Sequence, residues 1–314
     1  MRVVFFGSGS FAVPAMRSLT AAGHDVAVVV SQPPRPAGRG KQLMPTPVAE
    51  AAARYGFELL TTDNVNTPEF IDRMAALKAD LGVVIDFGQK LKAPLRGVFP
   101  SKCLNVHGSL LPKYRGAAPV AHAILAGESG TGVSVFRLTD RMDAGPVLVR
   151  RETLIGPFEN QQELHDRLAG IGCDALRAAL GLHAGVALPP GEPQDESQAS
   201  QAPKLNKADG LIRFDQSAEL IARQCRAFFP WPGARCRYVG ADRSEEVTLL
   251  AVTPAPTLSE YPPGILTPIL TVATGSGTLE IHMLQPAGRK PMGWQDFVNG
   301  RRARPGDRFE GLGA

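Results

Sequence analysis

An α/β fold in two parts, a parallel-rich sheet flanked by helices and then a small β-barrel, is predicted by three features of the sequence. Apolar runs alternate with helical spacing through the first half, which implies crossover connections and parallel strands. A stretch rich in Pro, Gly, Gln, Ser and Glu from Val186 to Ala202 then has linker composition. Beyond it, short β-rich runs punctuated by Gly and Pro suit a small barrel of the kind that often binds nucleic acid. A chain of 314 residues exceeds one comfortable core. The expected division is a first domain over 1–185, a linker over 186–207 and a second domain over 208–314.

Val3 to Phe6 reads as a buried strand that ends in Gly7-Ser8-Gly9-Ser10, and Phe11 to Ala22 carries helical spacing up to a stop at Gly23. Val26 to Val30, Leu81 to Ile85 and Cys103 to Val106 read as further buried strands. A helix follows over Ala117 to Ala126, with Pro119 in its first turn and Gly127 at its end. Gly132 to Leu138 and Val147 to Glu152 are then strands joined by the loop that holds Asp143, and Glu159 to Leu182 is a long helix that closes the first domain. In the second half Ala218 to Ala227 reads as a helix, whereas Arg235 to Val239, Val247 to Val252, Leu270 to Ala273 and Thr278 to Leu284 read as strands. The proline-bounded loop Gln32 to Pro47 is too long and irregular for a plain connection.

Composition excludes several classes. No apolar run approaches a membrane span, and the chain opens directly on a strand, which points to a cytoplasmic protein without a membrane partner. Cys103, Cys173, Cys225 and Cys236 are scattered without metal-ligand spacing, so they read as reduced and structural, and no metal is expected. Gly7-Ser8-Gly9-Ser10-Phe11-Ala12 fits a dinucleotide pattern, yet the second strand runs into Ser31-Gln32-Pro33 instead of the acidic residue that would grip a ribose. The favoured reading is a tight strand-to-helix turn beside a substrate groove. A net charge of +4 hints at a polyanionic partner, with basic clusters at Arg35 to Lys41 and at Arg289, Lys290, Arg301, Arg302 and Arg304. His24, His122, His165, His183 and His282 have no setting that suggests chemistry.

The chemistry is concentrated in Asn105-Val106-His107-Gly108-Ser109-Leu110-Leu111-Pro112. Residues two apart on a strand face the same way, so Asn105 and His107 leave the strand end together. An amide and an imidazole so placed can grip a carbonyl oxygen and handle a proton, while Asp143 fixes the histidine's tautomer or stabilises its charged form. This is the outline of acyl-group transfer.

These segments resemble the methionyl-tRNA formyltransferase family. The resemblance rests on Arg35-Pro36-Ala37-Gly38-Arg39-Gly40-Lys41, Leu43 to Val48, Asn105 to Pro119, Met142-Asp143-Ala144-Gly145, Ala227 to Pro232 and Leu284 to Met292. It implies a Rossmann-like first domain that takes 10-formyltetrahydrofolate as co-substrate, an OB-like second domain, and initiator methionyl-tRNA as the partner of a monomeric enzyme. By the same resemblance Asn105, His107 and Asp143 are catalytic. Ser109, Leu110, Leu111 and Pro112 line the folate site with Phe87, Gly88, Gln89, Leu91 and Asp140. Arg39 and Lys41 reach the tRNA acceptor end, while Lys204, Lys207, Arg289, Lys290, Arg301, Arg302 and Arg304 follow phosphates. The alternative is a related folate-dependent enzyme acting on a sugar amine or a glycinamide nucleotide. Asp86 and Lys90 depart from the Ala-Tyr-Gly-type sequence usual in the family, and the expected consequence lies in the pterin pocket.

Overall fold

The computed structural model describes residues 1–37, 40, 42–182, 188–257 and 259–313. They divide into two compact units: Met1–Pro119, Gly130–Leu154 and His165–Ala202 in one, Val120–Ser129, Ile155–Leu164 and Pro203–Ala314 in the other. The first unit therefore runs on through the stretch whose composition reads as linker.

In chain order the first half contains β1 (Arg2–Gly7), α1 (Ala12–Ala21), β2 (Asp25–Ser31), β3 (Arg35–Ala37), β4 (Gln42–Met44), α2 (Pro47–Tyr55), β5 (Leu59–Thr61) and α3 (Pro68–Ala76). There follow β6 (Leu81–Ile85), α4 (Ala93–Gly97), β7 (Cys103–His107), β8 (Arg115–Gly116), α5 (Pro119–Ala126), β9 (Gly130–Arg137), β10 (Val147–Leu154) and α6 (Gln161–Gly181). A seven-stranded sheet runs in the order β10-β9-β7-β6-β1-β2-β5. Strands β5, β2, β1, β6 and β7 pair in parallel, whereas β9 and β10 join antiparallel. The order reverses between β1 and β6, and such a reversal opens a crevice at the carboxyl ends of the strands.

The strands form where the sequence is apolar on both faces. All five residues of β6 are buried, as expected of a central parallel strand. On one face Val4, Phe6, Val30, Val84 and Cys103 pack with Met74 of α3 and Leu95 of α4. On the other face α6 lies so close that a Cβ at Gly172 would touch Val106 and Val133. Helices α2 and α3 begin at Thr-Pro pairs: the hydroxyls of Thr46 and Thr67 accept from the Ala49 and Phe70 amides, and Pro47 and Pro68 open the first turns.

The irregular loop expected over 32–47 contains a short hairpin, with Arg35 opposite Met44 and Ala37 opposite Gln42. Arg39 and Lys41 lie outside the described residues, as does His183. The stretch 188–202 ends in β11 (Gln201–Ala202), which pairs in parallel with β8.

The second unit holds α7 (Ala218–Ala227), β12 (Ala234–Val239), β13 (Ser244–Ala255), β14 (Val272–Ala273), β15 (Thr278–Pro286), β16 (Met292–Gly293), α8 (Trp294–Arg301) and β17 (Arg308–Glu310). Its strands run antiparallel in the order β14-β15-β13-β12-β17, with β16 on β15. Gly264 to Leu266 bridges β14 to β17 through bonds such as Ala273 N–H to the Ile265 carbonyl and Phe309 N–H to the Gly264 carbonyl. The sheet thereby becomes the nearly closed barrel expected of an OB-like domain. Tyr238, Phe297 and Phe309 fill it, and the Tyr238 hydroxyl donates to Asp307 over 2.6 Å.

Candidate active site

Strand β7 delivers Asn105 and His107 to the carboxyl end of the sheet, beside the crevice between β1 and β6. Asn105 is partly exposed and His107 is 8% exposed. Nε2 of His107 lies 2.8 Å from the Tyr114 carbonyl oxygen. A carbonyl only accepts, so Nε2 carries the hydrogen and donates. Nδ1 is 4.0 Å from Oδ2 of Asp143, too far for a direct hydrogen bond and near enough for strong attraction to an imidazolium. The sequence expectation that Asp143 fixes the tautomer is thus corrected: the main chain at Tyr114 fixes it. Asp143 keeps the electrostatic part.

Asp143 is itself held. Its Oδ2 accepts from the Gly116 amide at 2.8 Å, and its backbone takes a positive φ of 51°. The side-chain amide of Gln194 donates to the carbonyls of Asp143 and Gly145 at 2.8 and 2.7 Å. Gln194 in turn accepts from Arg115, whose guanidinium is 4% exposed and also donates to both carboxylate oxygens of Glu196. The Ser200 hydroxyl accepts from the Tyr114 amide, and the Ser200 carbonyl accepts from the Arg115 amide. Gly116 has a φ of 125°, and a Cβ there would sit 2.6 Å from the Ala202 carbonyl, so glycine is required at this close approach.

Residues 188–202 therefore act as a strap across the loops that hold His107 and Asp143. Its near end is gripped by Arg137, which donates to the carbonyls of Leu188 and Pro189, and by paired backbone bonds between Val147 and Glu192. Gln194, Glu196, Ser200, Arg115 and Arg137 were missed by the sequence reading. The strap has no apolar periodicity, and only a knowledge of where Arg115 points reveals its partners.

The residues expected to line the folate site fall into two walls. In one wall, the Ser109 hydroxyl donates to the Lys113 carbonyl, the Ser109 carbonyl and the Leu111 amide both bond the Ser134 hydroxyl, and Leu111 is buried with Phe136. Leu110 and Pro112 are partly exposed. In the other, Phe87 and Leu91 are core residues, Gly88 is exposed at a φ of 76°, and the Gln89 amide bonds Val65 and Thr62. With the side chains of Phe87, Gln89, Leu91, Ser109 and Leu111 engaged inside, a ligand here would meet mostly main chain. Arg96, also missed, donates to the Leu91 carbonyl and to the exposed carboxylate of Asp140, tying the 86–92 segment to the 138–146 loop. The Arg96 hydrogen bond holds Asp140 below the usual carboxylate pKa.

Asp86 turns its carboxylate toward the first strand-to-helix turn. Its backbone turns to a φ of 46°, and its carboxylate lies against Gly9. The Ser8 and Gly9 amides both donate to the Asp86 carbonyl at 3.0 Å, which fastens the first strand-to-helix turn to the end of β6.

Of the expected tRNA contacts, Lys204, Lys207, Arg289, Lys290, Arg302 and Arg304 are exposed in the second unit. Arg301 is different: its guanidinium is paired with Glu245 and lies over the Phe297 ring at 5.5 Å. That cation is largely spent within the barrel. Cys103, Cys173, Cys225 and Cys236 are free thiols, and among the described residues no His, Cys, Asp and Glu group could hold a metal ion. No helix of the described residues is long and apolar enough to cross a membrane.

Residues 1–180 match the family model described as formyl transferase, and residues 204–302 match the one described as formyl transferase, C-terminal domain. A methionyl-tRNA formyltransferase of Methylococcus capsulatus is 41% identical over 305 residues, spanning 95% of this chain and 96% of that protein. One of Heliobacterium modesticaldum is 40% identical over 324 residues, spanning 98% of this chain and 100% of that protein. Among solved structures, HypX from Aquifex aeolicus in complex with tetrahydrofolic acid has a TM-score of 0.62 at 19% identity, covering 95% of this chain and 47% of that one. The chain thus spans about half the length of HypX. WlaRD, a sugar 3N-formyl transferase solved with dTDP and 5-N-formyl-THF, has a TM-score of 0.63 at 15% identity and covers 92% of this chain and 99% of that one. At such identities these two structures bear on the fold alone.

Proposed function

Because the chain belongs to the methionyl-tRNA formyltransferase family, we propose that it transfers the formyl group of 10-formyltetrahydrofolate to the α-amine of methionyl-initiator tRNA. The product, N-formylmethionyl-tRNA, serves translation initiation, and the proposed enzyme works in the cytoplasm as a monomer. The observation that carries the chemistry is the pair Asn105 and His107 at one strand end, with the histidine's tautomer set by the Tyr114 carbonyl and its outer nitrogen turned to Asp143.

In this mechanism the amine nitrogen attacks the formyl carbon and the carbonyl electrons move onto oxygen. The Asn105 amide donates to that oxygen. Nδ1 of His107, the nitrogen left open, takes the proton that the attacking nitrogen loses, and Asp143 balances the imidazolium. The imidazolium then protonates the folate nitrogen as its bond to the formyl carbon breaks. The folate is held mainly by main chain between the Phe87–Leu91 segment and the Ser109–Pro112 and 138–146 loops, with Asp140 at the rim. Arg39 and Lys41 reach the acceptor end, and Lys204, Lys207, Arg289, Lys290, Arg302 and Arg304 follow phosphates.

Incubation with 10-formyltetrahydrofolate and charged initiator tRNA tests the reading, with formylmethionyl-tRNA as the expected product. Its absence under conditions where a sugar amine is formylated would replace the acceptor.

A further inference from the structure

The crevice between β1 and β6 carries a carboxylate that the mechanism above does not use. Asp86 is the first residue after β6, whose register pairs Val84 with Asn105 of β7. Counting two residues on along each strand puts Asp86 level with His107, on strands about 5 Å apart. On its other side β1 pairs Gly7 with Ile85, so the Gly9 turn stands at the same height. The Asp86 side chain has no hydrogen-bond donor among the described residues, although it is solvent-accessible and sits at the mouth of the crevice. Its position is not accidental packing: a Cβ at Gly9 would come within 1.5 Å of its Oδ2, so the sequence leaves room for this carboxylate. Phe11, which packs edge-on to His165 at 5.2 Å, stands two residues beyond Gly9 and supplies an apolar neighbour.

We propose that Asp86 is a second acceptor-recognition residue, whose carboxylate binds the α-ammonium of the aminoacyl ester and takes its first proton before attack. The proposal rests on the formyl-transfer reading of the Asn105 and His107 site. An α-amine with an ordinary pKa of about 8 arrives largely as the ammonium at neutral pH and cannot attack until it is neutral. Two protons must therefore leave the nitrogen. The first passes from R–NH3+ to the Asp86 carboxylate, giving R–NH2 and the neutral acid, which returns the proton to solvent through its exposed side. The second leaves after attack and goes to His107. Desolvation in the crevice raises the Asp86 pKa above the usual carboxylate range, with the nearby His165 pulling the other way, and this brings acid and amine closer to a match.

The test uses the whole chain and two competitive inhibitors of the formylation of methionyl-tRNA: 3′-O-methionyl-adenosine and the same ester without its amine. The wild type is expected to prefer the amine-bearing ester at least tenfold. D86N keeps the side chain's shape against Gly9 while removing its charge, and D86A removes the group. Both should erase the preference and raise KM for methionyl-tRNA several-fold, with KM for 10-formyltetrahydrofolate unchanged as proof of an intact fold. A preference that persists in D86N overturns the proposal, as does equal weakening of both esters. A wild type that forms no formylmethionyl-tRNA at all would instead refute the functional reading on which the proposal stands.

Discussion

A ring nitrogen 2.8 Å from a carbonyl and another 4.0 Å from a carboxylate define what His107 can do. The first contact fixes which nitrogen carries hydrogen, and the second leaves Nδ1 free to gain and lose a proton. Asn105→Ala and His107→Ala should each lower kcat by a hundredfold or more, since one lost oxyanion donor raises the barrier by about 3 kcal/mol and a lost general base costs roughly 10²–10⁴-fold. Steady-state rates at saturating folate and tRNA check this, and a loss smaller than tenfold would remove the residue from the mechanism. The pair was legible in the sequence because two polar side chains interrupt an apolar strand at a spacing of two. Tyr114 was not, because what it contributes is a carbonyl that every residue possesses. Tyr238 gives a contrasting case: Tyr238→Phe removes the buried bond to Asp307. It should cost about 1–3 kcal/mol of stability in denaturant melts, with kcat unchanged.

At the scale of elements, the strap over 188–202 decides how well the loops that hold His107 and Asp143 are fixed. Gln194→Ala deletes the bonds to the Asp143 and Gly145 carbonyls and one partner of Arg115. Kinetics should show kcat falling several-fold while KM for folate changes little, because the Asp143 carboxylate loosens and the segments 86–92 and 138–146 stay tied by Arg96. The strap is also sensitive to acid. Hydrogen bonds from Arg115, then Arg141, pull the Glu196 pKa from the ordinary 4.5 down to about 2. A carboxylate depressed on folding contributes its full stability above its unfolded value and loses it as pH falls through its folded value. Protection of the Tyr114 and Arg115 amides, the intrinsic exchange rate divided by the observed one at each pH, should therefore fall between about pH 4.5 and about pH 2, and an unchanged protection there would count against the Glu196 contact. Composition named this stretch a linker for a physical reason: it has no apolar face of its own, and its order comes from the Gln194 and Glu196 side chains meeting Arg115 and from the Leu188 and Pro189 carbonyls meeting Arg137. The missed helices α2 and α3 had signals in the sequence, the Thr-Pro pairs at their starts.

For the molecule as a whole, the parallel sheet and the barrel were readable from alternation and from Gly and Pro spacing, and charge distribution suggested a polyanion. What charge counting could not separate was a cation facing solvent from one already paired. Lys290→Ala and Arg304→Ala should each reduce the slope of log affinity for tRNA against log salt by about 1. Arg301→Ala should leave that slope alone and lower the melting temperature, since its partner is Glu245. A salt titration of tRNA binding alongside thermal melts distinguishes the two classes. The strap also sets where the polypeptide can be divided. Made as two separate pieces, 1–182 and 188–314, the halves should copurify, because the second carries β11, the Gln194 and Glu196 side chains that clasp Arg115, and the Leu188 and Pro189 carbonyls that Arg137 grips. A second piece that begins at Pro203 lacks that clasp and should not restore activity, so complementation would mark Ala202, well past the apparent boundary at 185, as the functional end of the first half.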